Sequence, residues 1–425
     1  MPEILSMVLA GGRVEELGIL TLSRPKAAVP FGGMYRIIDF VMSNLMHSGI
    51  DHVGVLAQYR PYSLIDHVNV GAPWDFLGRT RGVSTLSPHT GKEDSDWYKG
   101  TSDAIYQNLD YIQRYNPTIV LIVSGDHIYK MDYRPMIEYH LEKKADLTIA
   151  FKPVPISEAG QYGVAQLDDN GQVVLYEEKP EKPRSHLASL TVYAFNRDIL
   201  IERLKENARY GKTYQIYDEI IPLMVQENRV FGYIFEGYWA YARKIEAYYQ
   251  ANMDLIENPH QIDLLDWEVR TNLDTYNVRN APPAFFSSSS RVSRSIISAG
   301  CVIEGEVENS ILSPFVRVAK GARVKSSILM HYGVIEEGAE LDEVILDKRA
   351  TVGAGTKIGE GQNRTPNLRF PDFLSCGITM IGKDTILPPK TRIGKNCIIY
   401  PKVGEDLIPA RMESGGCVLP HHRTE

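Results

Sequence analysis

Cysteine is scarce: four in 425 residues (Cys301, Cys376, Cys397, Cys417), none closer than 20 positions to the next. With no C-x-x-C pair, neither a zinc site nor a disulfide framework is expected, and the thiols read as reduced, buried or incidental in a cytoplasmic protein. Long apolar runs are missing too. The start, Met1 to Gly12, carries no positive charge and its apolar run ends in glycines, too short for a signal-peptide core or a membrane span. There is no excess of basic charge: 46 Lys+Arg against 53 Asp+Glu give −7. This argues against a nucleic-acid or membrane-surface partner. What is present is 44% apolar and 23% charged residues, the balance of a folded protein with an ample core. The length suggests two or three domains.

The first 275 residues alternate two patterns. Ile4–Leu9, Val53–Ala57, Ile119–Val123 and Leu147–Phe151 are unbroken apolar runs of strand length, as expected for strands buried on both faces of a parallel sheet. Between them, Ile37–His47 and Tyr133–Lys144 carry the i, i+3, i+4 spacing of amphipathic helices. Strand and helix in alternation predict an α/β sheet. Gly163–Glu178, turning at Asp169-Asn170-Gly171, predicts a hairpin within it.

After Asn258 the texture changes. A Pro- and Ser-rich stretch within 276–290 reads as a linker. From 291 to 425 a period of six takes over. Leu312, Val318, Val324 and Met330 are six apart, as are Val352 and Ile358, and Ile381, Leu387, Ile393 and Ile399. Neither a helix nor a flat strand repeats at six; a parallel β-helix does, each aliphatic side chain entering one shared core.

In an open parallel sheet, ligands bind beyond the carboxyl ends of the strands. Two loops sit there. Ala10-Gly11-Gly12 follows the first strand, where glycine lets backbone N–H groups approach a phosphate, or serves only a tight turn. Arg24 and Lys26 lie downstream. Ser124-Gly125-Asp126-His127 follows the most apolar strand, and a carboxylate there can hold a divalent metal or cap the next helix. His127 reads as ordering this loop. Tyr176-Glu177-Glu178-Lys179-Pro180 closes the hairpin with acid beside base, a solvated strand end or a site. Neither G-x-x-x-x-G-K-[ST] nor G-x-G-x-x-G occurs.

These residues resemble one family. Ala10-Gly11-Gly12, the run from Arg24 to Gly33, and Tyr35-Arg36-Ile37-Ile38-Asp39-Phe40 resemble ADP-glucose pyrophosphorylase (glucose-1-phosphate adenylyltransferase). So do Trp97 to Ala104, Ser124 to Tyr129, Tyr162-Gly163-Val164, Glu178-Lys179-Pro180 and Leu187-Ala188-Ser189. The resemblance implies a Rossmann-like, mixed, mostly parallel α/β nucleotidyltransferase domain over 1–275. A linker (276–290) and a left-handed parallel β-helix of hexapeptide repeats (291–425) would follow. It implies a sugar-1-phosphate nucleotidyltransferase of glycogen biosynthesis, joining a nucleoside triphosphate, ATP in the family, to glucose 1-phosphate or another hexose 1-phosphate with release of pyrophosphate. Mg²⁺ is the implied cofactor, and a homotetramer the implied assembly. By matching position, Lys26 and Asp126 would be catalytic, Asp126 also holding the metal. Gly11, Gly12, Gly100 and Asp103 would meet the nucleotide. Tyr98, Gly163, Glu178, Lys179 and Ser189 would line the sugar-phosphate pocket.

The chain departs from the family on the phosphate-transfer side. Glu16 stands where the family has an arginine, and Tyr241 stands for the aspartate that completes the Mg²⁺ site in Trp-Arg-Asp-Val-Gly-Thr, here Trp239-Ala240-Tyr241-Ala242-Arg243-Lys244. Met34 replaces a lysine, and the adenine-side glutamines are replaced around His89-Thr90, which leaves the base open. Two readings stand: a working transferase with a rearranged nucleotide side, or a weak or inactive paralogue that binds sugar phosphate or nucleotide and regulates a partner subunit. An acyltransferase would need a histidine base on the β-helix, for which His331, His421 and His422 are candidates by type only.

Overall fold

The computed structural model describes residues 3–12, 14–88, 97–257 and 261–420. His89-Thr90, Asn258, His421 and His422 lie outside them. The chain divides into two compact units: residues 1–12 with 38–239, and residues 13–37 with 240–425.

The first unit is built on a nine-stranded sheet. We number its strands β1 (Ile4–Leu9), β2 (His52–Leu56), β3 (Gly82–Leu86), β4 (Ile119–Ser124), β5 (Leu147–Pro153), β6 (Gly163–Leu167), β7 (Val173–Glu178), β8 (Leu187–Asn196) and β9 (Val230–Ile234). The order is β7-β6-β8-β4-β1-β2-β3, with β5 pairing both β8 and β9. β4, β1, β2 and β3 run parallel, and β9 runs parallel to β5. β8 is antiparallel to β4, β5 and β6. The expected apolar runs are the strands: Leu5, Met7, Val120, Ile122, Leu147, Ile149 and Phe151 share one core. Helices α1 (Ile38–His47) and α2 (Arg134–Glu142) fall where the spacing predicted them, and β6 and β7 form the expected hairpin.

In the second unit, three all-parallel sheets of six, seven and seven strands form the coils of a β-helix from Phe285 to Val418. Stacked aliphatic columns fill its core: Ile303-Val318-Ile335-Val352-Leu387, Val307-Val324-Leu341-Ile358-Ile393 and Leu312-Leu329-Leu346-Ile381-Ile399. The expected period of six needs one correction. Leu329, not Met330, pairs with Leu312, so the sides from Val307 to Leu312, Val324 to Leu329 and Leu341 to Leu346 are five residues. The coil from Ile303 to Val318 is 15 residues, and the coils from Val307 to Val324 and from Val324 to Leu341 are 17. Met330 is buried all the same. The shortened corners are made by single residues with left-handed backbone, Asn309 (φ 47), Ser326 (φ 44) and Glu343 (φ 56), which turn the chain in one step fewer. From Ile381 to Ile399 the strict six holds.

The segment after Arg13 is tied within this second unit. Arg24 and Asp347 form a buried ion pair, and Arg24 Nε also donates to the Leu20 carbonyl (2.9 Å). Tyr248 Oη donates to the Pro30 carbonyl (2.5 Å), and Asn252 Oδ1 accepts from the Gly32 N–H (2.9 Å). Gly33 (φ 88) lies so close to Ser298 that a Cβ would stand 2.7 Å from its Oγ. All four cysteines are free, Cys301 and Cys397 buried, Cys376 and Cys417 half-buried. No helix among the described residues is long and apolar enough to cross a membrane.

Candidate active site

In the first unit the carboxyl ends of β1 and β4 lie side by side, with Leu9 registered against Ser124. The loop after β4 is stitched to β1 by the Gly125 N–H, which donates to the Leu9 carbonyl (2.9 Å). Gly11 has Gln58 against it: a Cβ there would stand 2.9 Å from the Gln58 backbone nitrogen. Gly12 faces open space, so its lack of a side chain serves no packing. A bare backbone beside open space suits close approach of a phosphate.

Asp126 leaves this loop partly exposed. Its Oδ1 accepts from Ser124 Oγ and lies 3.5 Å from His127 Nε2. His127 Nδ1 accepts from Trp239 Nε1 (3.2 Å), so a neutral ring carries its proton on Nε2, toward Asp126. Trp239 therefore orients His127, whose Nε2 approaches the Asp126 carboxylate. One partly exposed carboxylate at a strand end fits a divalent ion whose other ligands are substrate phosphates and water. Tyr241 offers no second carboxylate, and no group of three or more His, Cys, Asp or Glu among the described residues could hold a metal by itself.

The sugar-side residues come together around β6, β7 and β8. Glu178 Oε2 accepts from Tyr176 Oη (3.3 Å), and Oε1 lies 3.4 Å from Lys179 Nζ. Gly163, paired with Glu178 across the hairpin, has room only for hydrogen: a Cβ would stand 2.1 Å from Tyr176 Oη and 2.7 Å from Glu178 Oε2. Ser189 is buried and its hydroxyl bonds Tyr176 and Tyr193. Burial pushes the Glu178 carboxyl above its usual range, against the pull of Lys179 and Tyr176. Lys179 has left-handed backbone (φ 44), a strained conformation of the kind concentrated at functional sites.

Gln58 also holds Tyr98. The Tyr98 N–H donates to Gln58 Oε1 (2.6 Å), and Tyr98 Oη accepts from Asn108 Nδ2 (3.0 Å). Gln58 thus touches both Gly11 and Tyr98, linking the glycine loop to the tyrosine. Nothing in its sequence neighbourhood marked it. Asp103 spends its carboxylate on the Lys99 N–H and the Gln107 side chain, both at 2.8 Å. Its contribution is to shape the Lys99–Gly100 turn.

Lys26, Glu16 and Tyr241 belong to the second unit, and there three of the departures from the family, Glu16, Tyr241 and Arg243, form one cluster. Arg243 binds Glu16 through Nε (2.8 Å) and Nη2 (2.7 Å) and hydrogen-bonds Tyr241. The buried Lys26 ammonium stands 4.1 Å from the centre of the Tyr241 ring. His331 is buried against the Tyr276 ring, which does not expose a base on the β-helix.

A mostly parallel α/β unit with a glycine loop, a strand-end aspartate and an acid–base pair, followed by a hexapeptide β-helix, defines a nucleotidyl transferase. The family model "Nucleotidyl transferase" matches residues 5–258, and "GlmU-like, C-terminal hexapeptide" matches 282–381. Among curated proteins the chain is 40% identical to the glucose-1-phosphate adenylyltransferase of Acetivibrio thermocellus, over all of this chain and 99% of the relative. It is 44% identical to that of Thermomicrobium roseum (99% and 98% covered) and 39% to that of Thermotoga maritima (99% of each). The chain belongs to the glucose-1-phosphate adenylyltransferase family.

Proposed function

We propose that the chain joins a hexose 1-phosphate, glucose 1-phosphate first among them, to a nucleoside triphosphate, ATP first among them. A phosphate oxygen of the sugar phosphate attacks the α-phosphorus of the triphosphate. The bond from that phosphorus to the β-phosphate oxygen breaks, and pyrophosphate leaves. The observation that carries this reading is the coincidence, in one unit, of the Gly11–Gly12 loop and Asp126 with the Gly163–Tyr176–Glu178–Lys179–Ser189 cluster.

Each residue then has a task. Gly11 and Gly12 offer backbone N–H groups to the triphosphate, and Gly100 and Asp103 hold the adjoining turn. Tyr98, Gly163, Glu178 and Ser189 surround the sugar, and Lys179 binds its phosphate. Lys26 adds positive charge to the transfer. Asp126 would hold Mg²⁺ with the substrate phosphates, an ion that supplies charge neutralisation when bound. With no covalent intermediate to form, positioning and electrostatics carry the rate.

On this reading the transferase domain spans 1–275, the linker 276–290 and the hexapeptide repeats 291–425, with the strand Phe285–Phe286 inside the linker already pairing with the β-helix, in a cytoplasmic homotetramer. A second reading, a weak or inactive paralogue that regulates a partner subunit, draws on the Glu16–Arg243 and Lys26–Tyr241 contacts, which engage the transfer-side cations internally. Pyrophosphate release with glucose 1-phosphate, Mg²⁺ and a panel of nucleoside triphosphates separates the two. Release with any of them supports the transferase. Binding of sugar phosphate with no release supports the second reading.

A further inference from the structure

Facing the sugar-side cluster in the first unit is a short element with an unusual backbone, the π-helical turn Ile216–Ile220. Such turns are rare and concentrate at functional sites. This one is held from both sides. The Glu219 carboxylate accepts from the backbone N–H groups of Lys212 (2.6 Å), Thr213 (3.0 Å) and Tyr214 (3.1 Å), and from Asn207 Nδ2 (2.6 Å). Thr101 Oγ1 donates to Gln215 Oε1 (3.0 Å) and accepts from the Ile216 N–H (3.0 Å). The Tyr214 carbonyl accepts from the Ser102 N–H (3.0 Å) and would stand 2.2 Å from any Cβ at position 100. The Gly100-Thr101-Ser102 motif is therefore a clamp on residues 214–216. What the clamped turn presents is Tyr217, whose ring centre lies 5.7 Å from Lys179 Nζ, while Glu178 approaches the same ammonium at 3.4 Å.

We infer that Tyr217 is a positioning residue, its ring holding the Lys179 ammonium where the phosphate of a sugar 1-phosphate binds. Lys179 is a flexible side chain, 43% exposed, and Glu178 alone would draw its charge toward the acid. An aromatic face within about 6 Å attracts the ammonium without neutralising it, so the cation stays ordered and available to a phosphate. The inference rests on the sugar-phosphate reading above.

The test uses the full chain with lysine carrying ¹³C at its ε-carbon, the Lys179 resonance being assigned with Lys179→Arg. In the free protein this resonance is displaced by the Tyr217 ring current. Tyr217→Phe retains the displacement and Tyr217→Leu removes it. By calorimetry with glucose 1-phosphate, Tyr217→Leu weakens binding roughly fivefold, Tyr217→Phe restores it, and Tyr217→Leu has no further effect in a Lys179→Ala background. An equal loss in that background, or a Lys179 resonance unmoved by Tyr217→Leu, overturns the inference. A wild type that does not bind glucose 1-phosphate overturns the sugar-phosphate reading instead, and the lysine resonance then decides the placement of Tyr217 by itself.

Discussion

Arg243 donates to one carboxylate oxygen of Glu16 through both Nε and Nη2, at 2.8 and 2.7 Å. Each residue departs from the family pattern, and each accounts for the other: the acid at 16 is held by the base at 243. Reverting position 16 alone therefore sets two guanidinium groups together. Glu16→Arg is expected to lower the melting temperature, and adding Arg243→Glu to recover it. The pair is partly exposed, so its coupling should be about 0.5–1 kcal/mol. Thermal unfolding of the two single variants and the double measures it, and additive single effects would refute the pairing.

Transfer activity should respond to these positions as a set. Glu16→Arg with Tyr241→Asp and Arg243→Gly brings back the family residues and is expected to raise pyrophosphate release more than Glu16→Arg with Tyr241→Asp, which leaves Arg243 opposite a new cation. Asp126→Asn is expected to abolish release in the wild-type background, where Tyr241 offers no second carboxylate. Full activity in Asp126→Asn would remove the metal assignment.

Lys179→Ala is expected to weaken glucose 1-phosphate binding at least about tenfold, the loss of a charge-assisted contact to phosphate. Calorimetry checks this, and unchanged affinity would exclude Lys179 from the phosphate site.

Glu178 should show function held at a cost in stability. Its carboxyl is raised by burial, so the folded state binds the proton more tightly than the unfolded chain. Stability then falls as pH rises from the ordinary carboxylate value through the raised one. Glu178→Gln is expected to melt higher than wild type at neutral pH, with no such fall, while binding sugar phosphate more weakly. Equal melting curves across that window would contradict it.

His140 gives the opposite sign. Burial lowers its imidazole to about 4, and Nδ1 lies 2.9 Å from Thr148 Oγ1. The folded state resists protonation, so stability is intact above the unfolded value near 6.5 and is lost as pH falls toward 4. The loss should reach about 3 kcal/mol, and His140→Gln should not show it. Denaturant unfolding at pH 7, 5.5 and 4 measures the difference.

The sequence by itself determined what depends on local spacing. Apolar runs buried on two faces, helices of period 3.6 and the hexad repeat fixed the elements and their classes, because burial periodicity follows directly from backbone geometry. The glycine loop, Asp126 and the Glu178–Lys179 pair stood out as short stretches at strand ends, but position alone left a tight turn, a helix cap and a solvated strand end open, and their roles came from the resemblance. Only the tertiary structure decided what depends on contact between distant positions. Gln58 meets Gly11 and Tyr98, Tyr217 meets Lys179 38 residues away, and Glu16 meets Arg243 227 residues away. The five-residue side of each early β-helix coil was likewise hidden. Leu329 and Met330 are both apolar and both buried, and only strand register shows which of the two stacks on Leu312.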